Sequence, residues 1–220
     1  MRIAIVGSGP GGMTAMRKMM DCGFDICLFE KGPYIPQQDG SLPYSVAEMD
    51  AKYNNQGVTV AFGRANVNYV EGSCLGGGSE VNAGLYHRTP PKILEKWREE
   101  LGIDFAEPIQ LEEHFKASED LLNVGKMPFT APPASLKIRD GARALGWDCV
   151  EAPRWYKYLS DVDKGIFSGI RQSMTEVVLP LDKKQNVTML HDTNVDRLVE
   201  TACGKVEVEF HNRITMRKNI

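Results

Sequence analysis

The residues that could do chemistry come first in this chain. Gly7-Ser8-Gly9-Pro10-Gly11-Gly12 follows directly on the apolar run Ile3-Ala4-Ile5-Val6, and an acidic residue, Glu30, closes a second apolar run. A glycine turn that opens a helix leaves backbone N–H groups free, at the positive end of the helix dipole, for an anionic phosphate. A carboxylate at the end of the following strand accepts hydrogen bonds from ribose hydroxyls. Together these features are the layout of a βαβ unit that holds the ADP half of a dinucleotide. Gly7 permits the tight turn, Gly9 lets the backbone approach the pyrophosphate, and Gly12 allows the helix to pack on the sheet. The Glu30 carboxylate would repel a 2′-phosphate, which disfavours NADP. This pattern alone leaves FAD and NAD both open.

A second glycine-rich stretch runs from Gly72 through Gly76-Gly77-Gly78-Ser79-Glu80-Val81-Asn82-Ala83 to Gly84, inside otherwise apolar sequence. Such a run calls for backbone that approaches something closely or takes φ > 0. Other chemistry is thinly represented. His87 lies just past this stretch, His114 sits in a charged helical segment, and His191 and His211 fall on late strands without a partner pattern. Trp155-Tyr156-Tyr158 suits a pocket wall or ordinary aromatic packing. No Ser-His-Asp signature, HExxH or metal-ligand cluster is present in the sequence.

These residues need elements to position them. Residues 2–6 read as a buried parallel strand and Pro10 to Asp21 as a helix stopped by Gly23, with Met13, Met16, Met19 and Met20 packing on the sheet. Asp25 to Glu30 is the second strand. Lys31 to Asn55 is rich in Pro, Gly and polar residues and reads as a long excursion. Val58 to Phe62 is an extended segment. Helical patterns cover Pro90 to Leu101, Leu111 to Val124 and residues 135–146. Asn186 to Leu190, Arg197 to Thr201 and Lys205 to Phe210 alternate as strands, with a hairpin turn at Gly204. The fold class is α/β with an inserted helical region.

Composition adds limits. The 220 residues are 42% hydrophobic and 25% charged, ordinary for a globular protein, and the net charge of −3 gives no reason to expect nucleic acid or an anionic membrane as partner. The basic stretch from Arg213 to Lys218 is short. Five scattered cysteines make no CxxC, which argues against a disulfide framework, a zinc site and a dithiol centre. No apolar run approaches membrane-spanning length, and the expected location is cytoplasmic.

On Gly7 to Gly12, on Glu30 in Leu28-Phe29-Glu30-Lys31-Gly32, and on Gly72 to Gly84, the chain resembles the glucose–methanol–choline oxidoreductase family. The similarity continues through Tyr86-His87-Arg88-Thr89-Pro90, Arg171-Gln172-Ser173-Met174-Thr175 and Val195-Asp196-Arg197-Leu198. The resemblance implies a Rossmann-like FAD-binding domain, with 1–95 its first part, 96–165 a mostly helical insert and 166–220 a second, truncated part with an incomplete sheet. It implies that FAD is held by Gly7, Ser8, Gly9, Pro10, Gly11, Gly12, Glu30, Lys31, Gly76, Gly77, Gly78, Ser79, Asn82, Ala83 and Val195. Ser73 stands where relatives often carry a basic residue.

The implied reaction moves hydride from a small-molecule alcohol to flavin N5, with oxygen or another acceptor taking the electrons. The family's catalytic base is a C-terminal His paired with His or Asn. The sequence ends at Ile220, before that pair, and therefore looks like an N-terminal part with its catalytic residues unknown. A flavin-binding module without turnover and an NAD-dependent Rossmann enzyme are the alternatives.

Overall fold

The computed structural model describes residues 2–36, 44–161, 166–179, 186–215 and 218–219. β1 (Arg2–Val6) and β2 (Asp25–Phe29) pair in parallel, in register from Arg2 opposite Asp25 to Val6 opposite Phe29. Parallel neighbours need a crossover, which α1 (Pro10–Asp21) supplies. Pro10 sits in its first turn, where a missing N–H costs nothing. Met13, Met16 and Met20 share one face and are 0%, 0% and 4% exposed, so the methionine periodicity is a packing stripe.

β8 (Val187–Leu190) pairs in parallel with the other edge of β2, giving the order β1-β2-β8. The central strand is accordingly apolar throughout, with Ile26, Cys27, Leu28 and Phe29 all buried. Burial pushes the Cys27 thiol up from its ordinary value, which marks it as a core residue and not a nucleophile. The five cysteines are all free.

β9 (Thr193–Glu200) and β10 (Val206–Asn212) form an antiparallel hairpin across Gly204, extended by β11 (Lys218–Asn219). Thr193 N–H donates to the Glu30 carbonyl at 2.8 Å, and Phe210 lies 5.0 Å from Phe29, ring to ring. The hairpin is thereby tied to the C-terminal end of β2. Within the expected 31–55 excursion the structure has a helix, α2 (Val46–Lys52), capped by the Ser45 hydroxyl, which accepts from Glu48 N–H. The buried Glu48–Lys52 ion pair, at 3.2 Å, staples that helix. β3 (Thr59–Ala61) pairs antiparallel with β4 (Val67–Tyr69). These elements make one compact unit, Met1–Asn82 with Ser173–Ile220. Residues 37–43 of the excursion and 216–217 of the basic stretch lie outside the described residues.

Ala83–Gln172 form the second unit. It holds α3 (Pro91–Leu101), α4 (Pro108–Leu121) and α5 (Pro133–Ala144), each opened by a proline in its first turn. It also holds a small antiparallel sheet, β5 (Val124–Gly125), β6 (Arg154–Asp161) and β7 (Ile166–Arg171), in that order. The sequence reading contained no strand here; Trp155, Tyr156 and Tyr158 are β6 residues. The short helix α6 (Met174–Val177) belongs to the first unit.

Candidate cofactor site

At the C-terminal ends of β1 and β2 the first unit opens into a groove of about 510 Å³. Crevices at this end of an open parallel sheet are where α/β proteins take nucleotides. Gly7 and Gly9 form one wall, Gly72, Gly77 and Gly78 another, and Glu30, Lys31, Thr193, Asn194 and Val195 contribute to its lining. Segments far apart in sequence therefore meet at one cavity.

The glycines have two different tasks. A Cβ on Gly7, Gly9 or Gly78 would meet nothing within 4 Å, so their bare backbone leaves open space for a ligand. At Gly12 a Cβ would overlap the Gly7 carbonyl oxygen; this is the tight helix-to-strand packing expected of the third glycine. Gly77, at φ +55, would place a Cβ 2.9 Å from Gly9 Cα, so the two glycine turns pack on each other.

No side chain caps α1 and no acid lies in its first turn. Its leading amides are free of the carboxylate or hydroxyl that would otherwise occupy them, as an anion site requires. By contrast, α2 is capped by its own serine.

Glu30 is 6% exposed and more heavily engaged than the sequence suggests. Its Oε2 accepts from Ser8 N–H at 3.0 Å and Ser8 Oγ–H at 2.6 Å, and Oε1 accepts from Gly32 N–H at 2.8 Å. Gly76 N–H in turn donates to Ser8 Oγ at 3.0 Å. A carboxylate oxygen has two acceptor positions, so Oε1 retains one for a ribose hydroxyl. The chain Gly76–Ser8–Glu30–Gly32 ties both glycine turns to the end of β2.

The expected binding residues thus divide by place. Gly7, Gly9, Glu30, Lys31, Gly77, Gly78 and Val195 line the groove. Ser8 and Ser79 are fully buried behind it, with the Ser79 hydroxyl donating to the Gly76 carbonyl at 2.7 Å. Pro10, Gly11 and Gly12 form the start of α1. The Asn82 side-chain amide closes its own turn by donating to the Gly78 carbonyl at 2.9 Å. Ala83 belongs to the other unit, where its carbonyl accepts from Tyr156. Sequence reasoning did not name Thr193, Asn194, Val70 or Glu71, which also line the groove. The first two immediately precede Val195 and were within its reach.

Among the described residues, no histidine lines the groove. His87 lines a separate cavity of about 390 Å³ in the second unit, with Tyr86, Arg88 and Glu119. His191 and His211 do have acidic neighbours: His191 Nδ1 lies 2.6 Å from Asp192 and His211 Nδ1 lies 2.8 Å from Asp196. The sequence showed no partner pattern for them; the partners come from the adjoining turn and the paired strand. No cluster of metal-ligating side chains occurs among the described residues.

Beside His87, Arg88 Nε and Nη1 reach Glu119 at 2.6 Å and Glu112 at 2.7 Å, and its guanidinium lies 5.3 Å from the Phe115 ring centroid. The Arg88 hydrogen bonds hold the Glu119 carboxyl below its ordinary value. Burial and then Glu119 push the Tyr86 hydroxyl up to about 12. A depressed carboxyl contributes stability above its unfolded pKa that is lost as pH falls through the folded value. The melting temperature of Glu119→Gln should therefore lie below that of the parent at neutral pH. The gap should close as pH drops below the carboxylate range; a gap independent of pH would contradict this pairing.

Fold and groove together define an α/β dinucleotide-binding protein. The family model for GMC oxidoreductase matches residues 49–220, and the chain belongs to that family. An uncharacterized GMC-type oxidoreductase of Sinorhizobium fredii is 28% identical over 197 residues, covering 88% of this chain and 39% of the relative. Long-chain-alcohol oxidase FAO1 of Arabidopsis thaliana is 29% identical over 154 residues, 68% of this chain and 20% of that protein. Among solved structures, pyridoxine 4-oxidase from Mesorbium loti superposes with a TM-score of 0.71 at 19% identity, covering 96% of this chain and 46% of that one. An FAD-dependent oxidoreductase from Chaetomium thermophilum gives 0.71 at 14% identity, covering 99% and 43%. The chain spans less than half the length of each of these proteins. No helix among its described residues is long and apolar enough to cross a membrane.

Proposed function

We propose that this chain is the cofactor-holding part of an FAD-dependent oxidoreductase that acts on CH–OH donors. The observation that carries the reading is the groove itself, where two glycine turns and a buried carboxylate converge on a space of dinucleotide character. The residues present fit the group: the Cβ-free faces of Gly7, Gly9 and Gly78 leave room for it, and the uncapped start of α1 suits its diphosphate. Glu30 Oε1 takes an adenosine ribose hydroxyl, and Val195 borders the adenine. The backbone of Gly77 and Gly78, with Asn82, lies toward the flavin end. Membership of the GMC family, together with neighbours described as FAD-dependent, favours FAD over NAD.

Bound FAD supplies the acceptor for a hydride from the alcohol carbon. The chain's own residues bind and orient it: amides of α1 neutralise the diphosphate, and Glu30 fixes the ribose. The proton of the alcohol would go to a general base. The long-chain-alcohol oxidases among the relatives make long-chain alcohols the first substrates to try.

Anaerobic addition of long-chain alcohols to the FAD-loaded protein should bleach the flavin band at about 450 nm. Bleaching by NADH and by no alcohol would contradict the CH–OH assignment. A second reading is cofactor binding without turnover. A flavin reduced by dithionite and by no alcohol would select it.

A further inference from the structure

Glu80 lies in the interior directly behind the second glycine turn, 1% exposed. Its Oε1 accepts from the Thr175 hydroxyl at 2.8 Å and from Thr175 N–H at 3.3 Å. The neighbouring Ser79 hydroxyl accepts from Met174 N–H at 3.0 Å while donating to the Gly76 carbonyl at 2.7 Å. Two adjacent side chains thus stitch the start of α6 to the glycine turn. Gly76 lies against this carboxylate, at φ +92, where a Cβ would overlap Glu80 Oε1 and sit 2.8 Å from its Cγ. The next two residues, Gly77 and Gly78, line the groove.

A buried carboxylate is costly unless hydrogen-bonded, and an apolar side chain would fill the same space without that cost. Its sign also opposes the diphosphate that the groove is read to hold, so attraction of the ligand does not account for it. The buried acidity is further registered at Glu176, whose carboxyl is raised first by burial and then by the charge of Glu80. What Glu80 does supply is an acceptor fixed to Thr175 on one side and a surface for Gly76 on the other.

We propose that Glu80 is a positioning residue for the cofactor groove: by accepting hydrogen bonds from Thr175 it holds the Gly76–Ser79 turn in the shape that presents the Gly77 and Gly78 backbone to the ligand. The ligand part of this proposal rests on the FAD reading, while the geometric part does not.

Two readouts keep them separate: amide hydrogen exchange of residues 75–82 in the ligand-free chain, and FAD affinity followed by flavin fluorescence. Glu80→Gln keeps the oxygen acceptor and Thr175→Ser keeps the hydroxyl, so both should exchange like the parent and bind FAD within about twofold of it. Glu80→Ala and Thr175→Val should each exchange faster and bind FAD on the order of tenfold more weakly. The double variant should lose less than the sum of the two single ones, because the bond between the Thr175 hydroxyl and Glu80 is lost in all three. A parent-like Glu80→Ala on both readouts would overturn the proposal, as would a Glu80→Gln as impaired as Glu80→Ala. If Glu80→Ala does not fold, the Thr175→Ser and Thr175→Val pair carries the same comparison. The expected exchange pattern in a chain that binds no FAD would support the role of Glu80 and refute the FAD reading.

Discussion

Alanine at position 12 should destabilise the first unit by about 3 kcal/mol or more, at the upper end of overpacking effects. Alanine at position 11 should stabilise it by up to about 1 kcal/mol. The contrast comes from what surrounds each residue. Gly12 faces the Gly7 carbonyl, where a methyl group would overlap backbone that is itself held by the Gly7 N–H bond to the Phe29 carbonyl at 2.8 Å. Relief would require α1 to move off the sheet, carrying Met13 and Met16 out of the core. At Gly11 a Cβ meets nothing within 4 Å, so the helix gains the ordinary advantage of alanine over glycine. Urea unfolding of both variants measures the difference. Because position 11 opens onto the amides assigned to the diphosphate, Gly11→Ala should bind FAD more weakly even as it melts higher. Equal stability for the two variants would show that α1 does not pack as described.

Removing the Glu30 carboxylate should be the second large effect. Three donors converge on it: Ser8 N–H, Ser8 Oγ–H and Gly32 N–H. Glu30→Ala leaves all of them buried, for a loss of roughly 3 kcal/mol or more, since each unpaired buried donor costs about 1–3 kcal/mol. Glu30→Gln keeps one carbonyl oxygen and turns an amide N–H₂ toward the remaining donors, so it should fall between parent and alanine. Ser8 would also lose the partner that orients its hydroxyl for Gly76 N–H at 3.0 Å, so FAD affinity should drop with stability. Chemical denaturation with and without FAD measures both. A Glu30→Ala chain as stable as the parent would mean that this network does not hold the two glycine turns together.

Much of this was legible in the sequence because local rules and tertiary demands coincide in the first thirty residues. The apolar run, the glycine turn, the proline in the first turn of α1 and the methionine spacing each specify the βαβ unit, and its elements are found in place; β1, expected to be buried, is instead the edge strand of its sheet among the described residues, with Ile5 its one buried residue and Val6 exposed. The second glycine stretch was recognisable as close-packed backbone. Its immediate neighbour was not: Gly9 meets Gly77 across sixty-eight positions, and no local pattern encodes that contact. For the same reason Glu30 was read only as a ribose ligand, since its bonds to Ser8 exist only once β1 and β2 are paired.

The β6–β7 hairpin was missed for a different cause. Its two tyrosines, Tyr156 and Tyr158, stack on the same side with ring centroids 5.9 Å apart. The alternation Tyr156-Lys157-Tyr158 was present but too short to read as a strand, because the apolar Leu159 follows Tyr158 directly. α2 was missed because it is short and lies within a stretch otherwise rich in Gly and Pro; its Ser45 cap followed by Glu48 was the available signal.

The central claim, that the groove between the two glycine turns takes the ADP half of FAD, is tested most directly by competition. FAD titrated into the chain should bind with one-to-one stoichiometry, be displaced by ADP, and be unaffected by FMN, which lacks the adenosine part. Displacement by FMN and not by ADP, or unchanged FAD affinity in Glu30→Ala, would contradict it.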